Sequence, residues 1–401
     1  MFVQGSTGQP QSLLNALAQA AHNCTGVHFI SVLTPGINAF PLEMAPPDCK
    51  LTTFFDYKDL RRSFLSGEVE FIPCHYSQIA DYLRGFPSID LALIQLSSPD
   101  GEGKCSTGLS ADFVPDILDR CKLVVAELNR RMPSLHDAPA VPMDRLDYIV
   151  EADYQLPQMP AGSANSALEA IAGHVSDLVQ DGDTLQFGIG RIPPVALSRL
   201  QSKNDLGLHS GLVTPAVRPL IESGIVTGAR KSLDVGKHVA GAAVGDDAFY
   251  AWLAERPDVS MRPVSYTHSA RVLAELDNFV ALNSAIEVDL FGQANAEMVN
   301  GRQVSGTGGL VDFIRGASLS KGGRALICLQ ATSDQGRRSN IVPKLASVTS
   351  VCRTDTQYVV TEYGVASMAV KSIKDRAEAL ISVAAPQFRD PLRDAWAELT
   401  R

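Results

Sequence analysis

Two glycine-rich turns carry the first chemical signal in this sequence. Gly188-Ile189-Gly190 follows the apolar run Leu185-Gln186-Phe187 and precedes Pro193 and a helical pattern, so it reads as a strand-to-helix turn. The N–H groups of such a turn can face an anion or a carbonyl oxygen. A tight turn needs the same glycines for conformation alone, and the spacing does not separate the two readings. A nicotinamide dinucleotide is disfavoured, because the third glycine of that fingerprint falls where Pro193 stands. The second cluster runs from Ser305 through Gly306, Gly308 and Gly309 to Gly322 and Gly323. Close backbone approach to a ligand explains such density, as would a pair of surface hairpins. Within it, Arg315 and Lys321 would supply charge for phosphates.

The elements that must position these turns are written twice. Phe2-Val3-Gln4-Gly5 through Pro10 precedes one helical pattern, and Leu185 through Pro193 precedes another. A second echo pairs Val27-His28-Phe29 through Pro35 with Leu208-His209 through Pro215. Apolar runs at Leu91 to Leu96, Leu123 to Glu127, Phe279 to Leu282, Ala325 to Leu329 and Tyr358 to Thr361 alternate with helical periodicity, which predicts layered α/β architecture. The stretch Glu151 to Gly162, with two prolines, is the expected linker, and Ala164 to Leu178 the helix after it.

Composition narrows the ligand. A formal net charge of −9 with no basic run excludes nucleic acid as an expected partner. No apolar stretch reaches the roughly 18 residues of a membrane span, and Met1-Phe2-Val3-Gln4-Gly5 has no leader character, so a cytoplasmic protein is expected. The seven cysteines are scattered and the eight histidines avoid metal-ligand spacing, so no metal is expected.

The order of several blocks resembles the acetyl-CoA hydrolase/transferase family, which includes 4-hydroxybutyrate and succinyl-CoA:acetate CoA-transferases. They are Leu185 to Gly190, Leu282-Asn283-Ser284-Ala285-Ile286-Glu287-Val288-Asp289-Leu290 with Gly292-Gln293, Gly306 to Gly323, Ile341-Val342-Pro343 and Val359 to Gly364. Looser matches lie at Leu93 to Leu96, Ser98-Pro99-Asp100 and Asn129 to Pro133, so coverage runs from about residue 2 to about 390. The resemblance implies two tandem related open α/β domains, expected at 1–155 and 163–401, with the thioester in the cleft between them. It also implies coenzyme A as part of an acyl-CoA substrate, and a carboxylic acid or other acyl acceptor as second substrate. A homodimer is expected, and a heteromeric partner is compatible with the sequence.

In this family a glutamate attacks the acyl-CoA carbonyl and becomes a glutamyl-CoA thioester. The oxyanion hole is made by N–H groups at positions matching Ile189 and Gly308, with Gly188, Gly190, Gly306 and Gly309 shaping the loops around the ligand. The nucleophile's block reads His209-Ser210-Gly211-Leu212 here, so Gly211 stands where the glutamate is expected. The family's Arg-Gly after the Glu362 block is also replaced, by Ala369-Val370. His209 and Ser210 are the nearest substitutes, as a base beside a hydroxyl, although neighbours on a strand point to opposite faces. Glu287 and Glu362 read more readily as supporting groups than as nucleophiles. Three functions follow: thioester transfer or hydrolysis without a glutamyl intermediate; decarboxylation, lysis, condensation or cyclisation of a thioester; or a silent acyl-CoA-binding subunit.

Overall fold

The computed structural model describes residues 1–20, 24–41, 48–55, 67–159 and 164–401. Within them the apolar runs form two open sheets of the same winding. The first has the order Val69–Phe71, Lys50–Thr53, His28–Ser31, Phe2–Val3, Ile89–Leu96, Cys121–Asn129, Tyr148–Ala152, with every pair parallel. The second has the order Val259–Met261, His238–Ala243, Gly207–Val213, Thr184–Phe187, Phe279–Ser284, Arg324–Cys328, Tyr358–Thr361, and adds Gly364–Ser367 as an antiparallel edge. The repeat in the sequence is therefore a repeat of topology. Phe2–Val3 and Thr184–Phe187 hold the same central place, and His28–Ser31 stands beside the first as Gly207–Val213 stands beside the second.

Near-continuous apolar runs suit strands that are covered on both faces. Arg324–Cys328 is buried from Ala325 onward, and Ile89–Leu96 from Ala92 onward. The first sheet starts directly at residue 2, whereas the second is preceded by the helix Ser166–Leu178. Asn165 caps that helix by accepting from the Leu168 N–H, and Leu168, Ile171, Ala172 and Val175 form its buried face at helical spacing. The expected linker is only partly a free connection. Glu151 and Ala152 complete the edge strand Tyr148–Ala152, and the Met159 N–H donates to the Gly245 carbonyl at 3.1 Å. Pro160, Ala161 and Gly162 lie outside the described residues.

The halves are joined by main chain. Ser110 bridges Ala242 in antiparallel fashion, the Ala111 N–H donates to the Gly241 carbonyl at 3.0 Å, and the Ala243 N–H donates to the Leu109 carbonyl at 2.8 Å. A loop of the first half thus extends along the strand His238–Ala243 of the second. Leu109, Ala111, Met132 and Leu135 join the same core as the helices and strands of the second half. Farther along the contact, Ser77 donates its N–H (3.0 Å) and its hydroxyl (2.6 Å) to the Asp312 carboxylate. These bonds satisfy a free N–H at the start of the helix Tyr76–Arg84.

Two backbone features generate tests. Val370 is fully exposed at φ 52°, a left-handed conformation that suits glycine and is costly for a β-branched residue. Val370→Gly is expected to stabilise the fold by about 1 kcal/mol after glycine's greater unfolded-state freedom is deducted, read as a rise in Tm. Asp112, in the loop that docks on Gly241, is buried, and burial pushes its carboxyl up to about 7 against the opposing hydrogen bond from the Ser110 hydroxyl. A raised carboxyl pKa means that the fold holds the proton more tightly than the unfolded chain does. The stability this lends is complete below the ordinary value of 3.8 and is lost as pH rises through about 7. Between about pH 5 and about pH 8 the native protein should lose more stability than Asp112→Asn does, measured as denaturant midpoints.

Candidate active site

The order of strands reverses beside Phe2–Val3 in one sheet and beside Thr184–Phe187 in the other, the switch point where open parallel sheets leave a crevice beyond their carboxyl ends. A cavity of about 240 Å³ occupies this place between the halves. Ser6, Thr34 and Phe55 reach it from the first half, just past the ends of their strands. Gly188, Ile189, Gly211, Asn283 and the loop 305–309 line it from the second. Its walls are largely apolar, with Phe187, Leu212, Leu310 and Phe313 among them. At its floor Asn283 and Gln186 are paired, the Asn283 amide donating to Gln186 at 2.9 Å.

Both glycine turns bring their backbone to this cavity. Gly190 has φ 124° and Gly308 φ 54°, conformations a side chain disfavours. The turn at 308–309 opens the helix Leu310–Leu319, whose positive end faces the same space. Among the described residues neither the Ile189 nor the Gly308 N–H has a hydrogen-bond partner, whereas the Gly308 carbonyl accepts from the Tyr76 N–H at 2.9 Å. Both donors are therefore open to a ligand in the cavity or to water. Glu297 fixes the second loop from behind by accepting from the Thr307 hydroxyl at 2.6 Å and the Ser350 hydroxyl at 2.8 Å. Gly306 is required by contact: a Cβ there would lie 2.1 Å from the Phe54 carbonyl oxygen.

The other expected residues divide. Gly211 lines the cavity. Ser210 and His209 do not. The Ser210 hydroxyl is turned into the sheet, donating to the Phe187 carbonyl at 3.1 Å or the Leu212 carbonyl at 2.9 Å. His209 is on the face of Gly211 but deeper, its ring against Tyr266 and Phe279 and its Nε2 bonded to the Thr267 carbonyl at 3.2 Å. Burial, helped by Lys231, pulls its pKa down to about 3, so it stays neutral. Glu287 is in a neighbouring polar recess with Arg191 and Ser333, paired with Arg338. Arg315 and Lys321 do not line the cavity. Arg315 is on the outer face of the helix Leu310–Leu319, paired with Asp355 at 3.2 Å, and Lys321 is exposed past that helix's far end. Of the glycines in the second cluster, Gly306, Gly308 and Gly309 line the cavity. Gly316 instead lets Leu273 pack against its helix, and Gly322 makes the following turn at φ 75°.

Three groups at the site had no sequence signal that singled them out. Asp112 and Tyr76 reach the cavity from the first half, and His268 from the second. A Cβ built on Gly211 would lie 2.7 Å from Cε1 and 2.8 Å from Nε2 of His268. The imidazole thus fills the volume into which a side chain at 211 would grow. Its Nδ1 is bonded to the Thr267 hydroxyl at 2.9 Å, and its ring is held between Tyr76 and Phe313, with centroids 4.8 and 4.6 Å away. A lone histidine and a lone aspartate, without metal or catalytic spacing, look like core residues until the fold brings them together.

Comparison with known proteins agrees with this geometry. The acetyl-CoA hydrolase/transferase N-terminal domain profile matches residues 1–158, and the C-terminal domain profile matches residues 245–396. The 4-hydroxybutyrate coenzyme A transferase of Clostridium kluyveri is 36% identical over 396 residues, covering 98% of this chain and 92% of that protein. The succinyl-CoA:cyclohexane-1-carboxylate CoA transferase of Geobacter metallireducens is 34% identical, covering 99% of this chain and 91% of its own length. The crystal structure of RipA from Yersinia pestis superposes with a TM-score of 0.91 at 31% identity, covering 100% of this chain and 94% of that one. With both domain profiles matched and a relative 36% identical along nearly the whole chain, the protein belongs to the acetyl-CoA hydrolase/transferase family.

Proposed function

We propose that the protein binds the thioester of an acyl-CoA in the cavity between its two sheets and transfers or hydrolyses the acyl group without a glutamyl-CoA intermediate. Membership of the family supports the thioester, and position 211 supports the departure from the usual route. No carboxylate can be offered from Gly211, and the imidazole of His268 occupies the space that one would need. What remains at the cavity is the pair of free N–H groups at Ile189 and Gly308. Placed on the carbonyl oxygen, they stabilise the charge that develops when any nucleophile adds to the carbonyl carbon. Removing one such donor in a comparable site costs about 100- to 1,000-fold in kcat, so the hole alone retains substantial catalytic power. The thioester carbon then accepts water or an external carboxylate directly.

The test combines turnover with intact-protein mass spectrometry on a panel of acyl-CoAs, with and without acetate. The expected result is release or transfer of CoA with no mass gain on the protein. A covalent protein–CoA adduct would overturn the reading by revealing a nucleophile elsewhere. Gly211→Glu is expected to give neither an adduct nor faster turnover. Its Cβ meets a ring clamped between two aromatic side chains, and overpacking of this kind costs about 1–3 kcal/mol, visible as a lowered Tm.

A further inference from the structure

We propose that His268 is the catalytic base of this site and activates a water molecule for attack on the thioester, which makes the protein an acyl-CoA hydrolase. This rests on the thioester reading above and names the group that replaces the missing carboxylate. The argument starts from position. His268 lines the same cavity as Ile189 and Gly308, and its Cε1–Nε2–Cδ2 edge is turned toward Gly211 and Gly309. A Cβ on Gly309 would lie 2.6 Å from both Nε2 and Cδ2, so both glycines are shaped around this ring. The residue is only 3% exposed, yet Nε2 has no hydrogen-bond partner among the described residues. No protein group occupies that nitrogen, so a water molecule or ligand in the cavity that His268 lines can meet it.

The remaining contacts fit a base. The Thr267 hydroxyl can accept from the Nδ1 proton at 2.9 Å while it donates to the Pro263 carbonyl at 3.3 Å. That arrangement leaves the lone pair on Nε2, facing the cavity. Tyr76 and Phe313 prevent the ring from turning away. Burial, with a smaller contribution from neighbouring His209, pulls the pKa down to about 3, so the resting imidazole is neutral and its lone pair is unprotonated.

The step balances with water as the only co-reactant. Nε2 removes a proton from water as its oxygen bonds to the carbonyl carbon, and the carbonyl π pair moves onto the oxygen held by Ile189 and Gly308. The oxyanion then collapses, the C–S bond breaks, and the departing thiolate takes the proton back from the imidazolium. The products are a free acid and CoA thiol, and His268 returns to its neutral state.

The experiment follows thiol release from the acyl-CoA panel by the native protein, His268→Ala and His268→Gln, with thermal melts to establish folding. In ¹⁸O-water the native protein should place the label in the acid product. Both variants should lose about 100-fold or more in kcat, the contribution expected of general base catalysis, with KM little changed. Added imidazole should restore part of the activity of His268→Ala. Variants within threefold of native kcat, while the native protein turns over, would overturn the role of His268 and leave the thioester reading intact. The native protein alone supplies a further check, because proton transfer in the slow step predicts a solvent deuterium isotope effect on kcat, and an effect of unity overturns the proposal. No thiol release from any thioester would overturn the thioester reading and this proposal together.

Discussion

The site depends on main-chain pairing between residues 109–112 and the strand His238–Ala243. Each sheet alone leaves a crevice beyond the carboxyl ends of its central strands, open to water on one side. The Ala111-to-Gly241 and Ala243-to-Leu109 bonds turn the two crevices toward each other and close them into one apolar chamber. Because the contacts are made by backbone, they fix position along the strand as well as distance, in the way a sheet register does. The same loop carries Asp112 into the chamber wall, so the joint between the halves is also part of the lining.

Inside that chamber, Gly211 and His268 share one volume. The ring rests where a side chain at 211 would have to begin, and Tyr76 and Phe313 hold it there. Packed interiors do not hold two solutions at once. The absence of a side chain at 211 and the presence of an imidazole beside it are therefore one structural fact seen from two residues.

Much of the frame was legible in the sequence, because the signals were local and repeated. Strand-like runs, the glycine turn before Pro193 and the helical face of Leu168, Ile171, Ala172 and Val175 each announce themselves within a few residues, and the echo of residues 2–35 in 185–215 anticipated the matching strand orders. Gly211 drew notice only through resemblance, since a glycine carries no chemistry of its own. His268 and Asp112 were not legible, because their significance comes from contacts across separate elements, as with the Nε2 approach to Gly211. Arg315 and Lys321 stand apart from the cavity for the complementary reason. Closeness in sequence to a glycine loop placed them near the ligand, but the helix that follows carries one to its outer face and the other past its far end.

Ile189 has one more property that bears on what the chamber can hold. Besides lining the central cavity, this half-exposed residue borders the polar recess that contains Glu287 and an apolar hollow beside Pro193 and Leu197. One aliphatic side chain therefore acts as the partition between three compartments. Rotamer changes of exposed side chains take picoseconds to nanoseconds and need no movement of the main chain. A turn of that torsion can thus reshape the border shared by the three compartments, while the N–H of the same residue stays in place.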